Sequence, residues 1–62
     1  MLIRRIETFL RRTGMPWTKF GRLSVRDPRL VGDLRNGRTP RRAMVERVEH
    51  FMNTFQEEKN AN

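Results

Sequence analysis

The segment from Asp27 to Gly37 limits the fold most strongly, because it carries both a start and a stop signal for one short helix. Asp27 is a favoured N-cap residue, and Pro28 suits the first helical position, where its missing N–H costs nothing. Gly37 can adopt the left-handed conformation that ends a helix. The segment therefore predicts a short helix between these two signals.

This predicted helix has two contrasting faces. Its apolar residues follow helical spacing and are Leu30, Val31 and Leu34. The opposite face is polar and short-chained and carries Arg29, Gly32, Asp33 and Asn36. Glycine is about 1 kcal/mol less favourable than alanine inside a helix. A helix face exposed only to solvent does not require a glycine. We therefore interpret the face that carries Gly32 as one that packs against a ligand.

Three further segments are predicted to be helical. The first helix runs from Leu2 to Thr13, ahead of Gly14, and the second from Pro16 to about Ser24. In the fourth, Thr39 is expected to cap a helix that Pro40 begins. Its apolar stripe comprises Met44, Val45, Val48, Phe51, Met52 and Phe55. No segment alternates like a β-strand, so the chain is predicted to be all-α with four helices.

The second helix contains a glycine without a capping role. Phe20 and Leu23 are expected to point inward, with Trp17 beside Phe20. Gly21 lies in the middle of this helix, where the absence of a side chain permits close approach of a neighbouring helix.

The length of the chain, 62 residues, suits one small domain. We assign residues 1–56 to it and predict a disordered polar tail at residues 57–62. There is no cysteine and one histidine, His50, so no metal or other cofactor is predicted. No apolar run approaches the roughly 20 residues of a membrane helix. With no signal-peptide pattern at the start, we expect a cytoplasmic location.

The positive charge is concentrated in the body of the chain. The net charge is +7, and twelve of the fourteen basic residues are arginine. Residues 1–45 carry twelve basic and three acidic residues, a net charge of +9, whereas residues 46–62 carry two and four, a net charge of −2. Arginine binds phosphate through two parallel N–H groups. This asymmetry favours a polyanion-binding surface on the body.

The stretch from Trp17 to Pro40 resembles the helix-turn-helix of the phage-repressor-like (Cro/CI, Xre) family. The residues that carry this resemblance are Phe20, Gly21, Val31, Leu34, Gly37, Arg38 and Pro40. Two positions depart from the pattern: Val25 stands where glycine is usual, and Arg26 where an apolar residue is usual. A β-branched residue should not adopt a positive φ, so we expect a different conformation in the turn.

The resemblance implies a small four-helix lambda-repressor-like domain that places its third helix in the major groove of DNA. The polar face of that helix suits base reading, with Arg29 donating to guanine and Asn36 to adenine or a phosphate. Asp33 can orient Arg29 or accept from cytosine, and Gly32 would let the bases approach. The alternative is a solvated face with an ion pair between Arg29 and Asp33.

Further residues around the predicted helix-turn-helix are candidates for phosphate contacts, which set affinity and register while base contacts set sequence. They are Trp17, Thr18, Lys19, Arg26, Arg35, Arg38, Arg41 and Arg42. Core packing is the alternative for Trp17.

The apolar stripe on the fourth helix is longer than the core of so small a domain should need. Phe51, Met52 and Phe55 are therefore predicted to form a homodimer interface, and packing in the core of one chain is the alternative.

The function predicted from sequence is sequence-specific binding of double-stranded DNA by a bacterial or phage transcriptional regulator, repressor-like and associated with the nucleoid. No enzyme is predicted, because the sequence shows no nucleophile–base pair around His50, no carboxylate pair in an apolar setting and no phosphate-binding glycine loop. The alternatives are an architectural or excision factor for recombination, an antitoxin-like protein-interaction module, and a basic amphipathic peptide that acts on membranes.

Overall fold

The computed structural model describes residues 1–55, which contain four helices and no strand. The helices are α1 (Leu2–Thr13), α2 (Trp17–Val25), α3 (Leu30–Arg35) and α4 (Arg42–Thr54). The predicted all-α class is therefore confirmed, and the bounds of α1 match the prediction at both ends. The predicted tail at residues 57–62 lies outside the described residues.

One apolar core joins the four helices. Its buried residues are Ile6, Phe9, Leu10, Phe20, Leu30, Val31, Leu34 and Val48. Aromatic rings connect α1, α2 and α4 at its centre: the Phe9 and Phe51 centroids each lie 5.4 Å from that of Phe20. Such edge-to-face pairs contribute beyond the area they bury.

The end of α4 packs against this core. Phe51, Met52 and Phe55 all contact it and remain partly exposed. The rings of Phe9 and Phe55 lie 5.4 Å apart. The length of the apolar stripe therefore has an explanation within one chain, and a homodimer through these residues stays a prediction.

Two expectations about the helices are wrong. Leu23 is 51% exposed rather than inward-facing, because the inner face of α2 is made by Phe20, Gly21 and Ser24. Helix α4 begins at Arg42 rather than Pro40, and no side chain caps it.

Residues 38–41, immediately before α4, are not helical. Pro40 lines a cleft with Leu2 and Leu34. The chain then passes Arg41 in an extended conformation, with ψ of 156°, before the first helical turn.

The stop signal of α3 acts as predicted, but its start does not. The regular helix begins at Leu30 rather than at Pro28, its N-cap residue is Arg29, and no side chain caps it. The Asp27 carboxylate accepts a hydrogen bond from the N–H of Arg29 at 3.0 Å. The Leu30 N–H donates to the backbone carbonyl of Asp27 at 3.1 Å, so a tight turn precedes the regular helix. Gly37 is left-handed, with φ of +97°.

Gly21 allows the close approach of α2 and α3 that its position predicted. A Cβ at Gly21 would lie 2.1 Å from the backbone oxygen of Asp27 and 3.3 Å from the Cβ of Leu30. The Asp27 N–H also donates to the Gly21 carbonyl at 3.1 Å. The turn after α2 therefore rests directly on the backbone of this glycine.

The turn itself takes the different conformation expected of it. Val25 is the last residue of α2, and the left-handed position falls on Arg26, with φ of 60° and ψ of 33°. Arg26 is the one non-glycine residue with positive φ among residues 1–55. A left-handed conformation costs an L-residue about 1–2 kcal/mol.

Arg26→Gly is therefore expected to stabilise the protein by up to about 1 kcal/mol, because the relief of this strain exceeds the added flexibility of the unfolded chain. Urea unfolding measures the difference. Arg22→Gly is the control, since the same change inside α2 should destabilise by about 1 kcal/mol. Equal destabilisation by both changes would contradict the left-handed turn.

Candidate nucleic-acid interface

The predicted base-reading residues lie on the outer side of α3. Leu30, Val31 and Leu34 face the core and are buried. At about 100° per residue, the side opposite to them carries Arg29, Gly32 and Asn36, with Arg35 on one flank and Asp33 on the other. Arg29 and Asn36 are exposed, and Gly32 and Asp33 are half-buried.

On the first flank, Arg35 is held by α1. Its Nε and Nη2 donate to the two carboxylate oxygens of Glu7 at 2.6 and 2.9 Å. Such two-point pairs are directional as well as strong. Arg35 was expected to contact phosphate, but in the free protein its charge is already matched by Glu7.

Trp17 occupies the space beside Gly32. The Arg35 guanidinium lies over the indole ring, 5.5 Å from its centroid. A Cβ at Gly32 would lie 3.3 Å from Cζ3 of Trp17 and 3.5 Å from Cη2. The absence of a side chain at Gly32 therefore makes room for Trp17, where the sequence suggested an open ligand-facing surface. Trp17 remains 39% exposed.

On the second flank, Arg38 folds back over α3. Because left-handed Gly37 reverses the chain, the Arg38 N–H donates to the Asp33 carbonyl at 3.0 Å. Its Nη1 donates to the Asp33 carboxylate at 3.2 Å and lies 3.9 Å from that of Asp27. The predicted alternative, an Arg29–Asp33 pair, is wrong because Arg38 takes that carboxylate.

Several exposed cations around α2 and α3 form no ion pair within residues 1–55. They are Lys19, Arg22, Arg26, Arg29, Arg41 and Arg47. Arg22 and Arg47 were not among the predicted phosphate contacts, although the helical spacing of Arg22 relative to Phe20 already placed Arg22 on the outer side of α2. Thr18 is also exposed.

Arg42, another predicted phosphate contact, pairs weakly with its own helix. Its Nε lies 3.4 Å from the Glu46 carboxylate, and the two side chains are 93% and 65% exposed. Exposed pairs of this kind contribute little to stability, so Arg42 can change partner at small cost.

The Glu7–Arg35 pair predicts a pH dependence of stability. Hydrogen bonds from Arg35 hold the pKa of the Glu7 carboxyl below its ordinary value of 4.5. Because the folded pKa is lowered, the stabilisation is complete above about pH 4.5 and is lost as the pH falls through the folded pKa. Glu7→Gln is therefore expected to lower the urea midpoint at pH 7 and to narrow the difference between pH 7 and pH 3.

The control for this prediction is Glu46→Gln, which removes a carboxylate from the exposed pair with Arg42. It should leave the pH dependence close to that of the wild type. The prediction is contradicted if the urea midpoint of Glu7→Gln falls between pH 7 and pH 3 by as much as that of the wild type. The Glu7–Arg35 pair would then not stabilise the fold.

Two other kinds of site are absent from residues 1–55. No cluster of three or more His, Cys, Asp or Glu residues could hold a metal ion. None of the four helices is long and apolar enough to cross a membrane. No family model, curated protein or solved structure matches the chain.

Proposed function

We propose that this protein binds double-stranded DNA sequence-specifically through a helix-turn-helix formed by α2 and α3, as a bacterial or phage transcriptional regulator of the repressor type. The observation that carries the proposal is the crossing at Gly21. There the backbone of the turn before α3 rests on α2, and the Cβ of Leu30 lies close to Gly21. The three apolar residues of α3 are buried, and Arg29 and Asn36 are outermost. A short helix presented in this way suits the major groove.

Arg29 and Asn36 supply the base contacts in this proposal. The Arg29 guanidinium forms no ion pair within residues 1–55 and can donate two hydrogen bonds to guanine O6 and N7. The Asn36 amide can bond adenine in the same two-point manner, or a phosphate. Asp33 holds Arg38 beside the helix and so shapes the edge of the reading surface.

Phosphate contacts come from the cations around this surface. Lys19 lies in the first turn of α2, where the helix dipole also favours an anion. Arg26 ends α2, and Arg41 lines a cleft with Val25 and Asp27, so both cations lie near the turn between α2 and α3. Arg35 differs from them, because its pairing with Glu7 leaves little net charge to attract phosphate.

Selection of bound fragments from a random duplex library tests the proposal. We expect a short enriched motif that contains guanine, and binding of that duplex in preference to its separated strands. An inverted repeat with half-sites about one helical turn apart would indicate a two-fold dimer. Failure to enrich any sequence would contradict sequence-specific binding.

The alternatives predict different results in the same experiments. An architectural or excision factor would bend the selected duplex strongly in a gel-shift assay with permuted sites. An antitoxin-like module would co-purify with a protein partner from its native cell.

A further inference from the structure

Trp17 stands out on the proposed DNA-binding surface as an exposed aromatic residue with contacts on two sides. The Arg35 guanidinium lies over its ring, and Glu7 fixes Arg35 with two hydrogen bonds. Gly32 receives the edge of the indole where any side chain would press on it. Three elements of the fold, α1, α2 and α3, therefore fix the position of one apolar ring.

The orientation of the indole determines which of its atoms lie beside the outer side of α3. The two atoms nearest Gly32 are Cζ3 and Cη2, which lie on the six-membered ring away from Nε1. Gly32 lies at the middle of the outer side of α3, so the part of Trp17 beside that surface is hydrocarbon. Nε1 belongs to the other ring of the indole, farther from Gly32.

A hydrocarbon edge at this place has one matching group in duplex DNA. Base edges in the major groove present hydrogen-bonding atoms and, on thymine alone among the four bases, a 5-methyl group. Because Arg35 lies over one face of the ring, that face is not available for stacking on an extruded base.

We propose that Trp17, held between Gly32 and the Glu7–Arg35 pair, is an apolar subsite that contacts the 5-methyl group of a thymine. This inference rests on the proposed DNA-binding function. It predicts that the bound sequence includes a thymine next to the bases read by Arg29 and Asn36, recognised through its methyl group rather than through hydrogen bonds.

The test uses the full chain and the tightest-binding duplex from the selection, with each thymine replaced singly by uracil. Uracil keeps every hydrogen-bonding group and lacks only the methyl. We expect one position at which uracil weakens binding about fourfold, as burial of one methyl-sized group predicts. Trp17→Ala should weaken binding to the thymine duplex and bring the thymine-to-uracil ratio at that position to about one.

Two further variants test whether the thymine preference comes from an apolar contact and whether it is specific to position 17. Trp17→Leu keeps an apolar side chain without an N–H, so it should retain part of the thymine preference. Leu23→Ala removes another exposed apolar side chain of α2 that lines the groove towards α4, and it should leave the preference unchanged. Circular dichroism and urea unfolding show whether each variant is folded.

The outcomes separate this inference from the function on which it rests. If no duplex is selected, both fail. If a duplex is bound tightly but contains no thymine sensitive to uracil, only the subsite is overturned. Uniform weakening by Trp17→Ala and Trp17→Leu, with the thymine-to-uracil ratio unchanged, would also overturn it, because Trp17 would then contact the DNA backbone.

Discussion

Gly21→Ala is expected to destabilise the protein by about 3 kcal/mol or more and to leave much of it unfolded at room temperature. The added methyl would lie 2.1 Å from the Asp27 carbonyl oxygen. That oxygen belongs to the backbone and is fixed by the hydrogen bond from Leu30. The turn must therefore move away from α2. A single core in so short a chain rarely supplies more than about 3–5 kcal/mol.

Gly32→Ala is the matched control, because it is the same change inside a neighbouring helix. Its Cβ would meet the far end of the Trp17 side chain at 3.3 Å, and a half-exposed ring can shift. The gain in helix propensity, about 1 kcal/mol, offsets that shift. Urea unfolding followed by circular dichroism compares the two. Similar stability of the two variants would show that α2 and α3 do not cross at Gly21.

Arg29→Ala is expected to weaken binding to the selected duplex by about ten- to a hundredfold, as loss of a two-point guanine contact predicts. Specificity should relax at one guanine and stay unchanged elsewhere. Arg29→Lys should restore charge but little of the affinity, because an ammonium group lacks the fork of two parallel donors.

Arg4→Ala is the control for charge alone. Arg4 is exposed on α1, on the side away from buried Ile6 and Leu10. Its loss should reduce affinity slightly and equally for all sequences. Fluorescence anisotropy with the selected duplex and single-base variants measures both effects. If Arg29→Ala behaves like Arg4→Ala, the outer side of α3 does not read bases.

Local signals predicted most of the helices. The apolar spacing of α1 and the glycine after it fixed both of its bounds. Gly21 and Gly37 were assigned correctly because close approach and left-handed conformation each depend on one residue and its nearest neighbours in the chain. The start of α3 was placed too early, since the tight turn after Asp27 comes before the regular helix. The start of α4 was also placed too early, because Arg41 is extended, with ψ of 156°, and the Thr39–Pro40 signal does not reveal this.

The candidate site was harder to predict, because its side chains choose partners across the fold. Arg35 meets Glu7 across 28 residues, and Trp17 fills the place beside Gly32. A helical wheel gives the direction of Arg35 and Gly32 but not what faces them. Helical spacing therefore identified the outer side of α3, but it did not reveal that Arg35 pairs with Glu7 or that Trp17 lies beside Gly32.

The most direct test of the central claim, that this basic surface binds duplex DNA, is the affinity for the selected duplex measured across salt concentrations. Each phosphate neutralised by a cation contributes about −0.9 to the slope of log affinity against log salt. With several unpaired cations around α2 and α3, we predict a slope of about −4 or steeper. A slope near zero, or no binding at low salt, would contradict the claim.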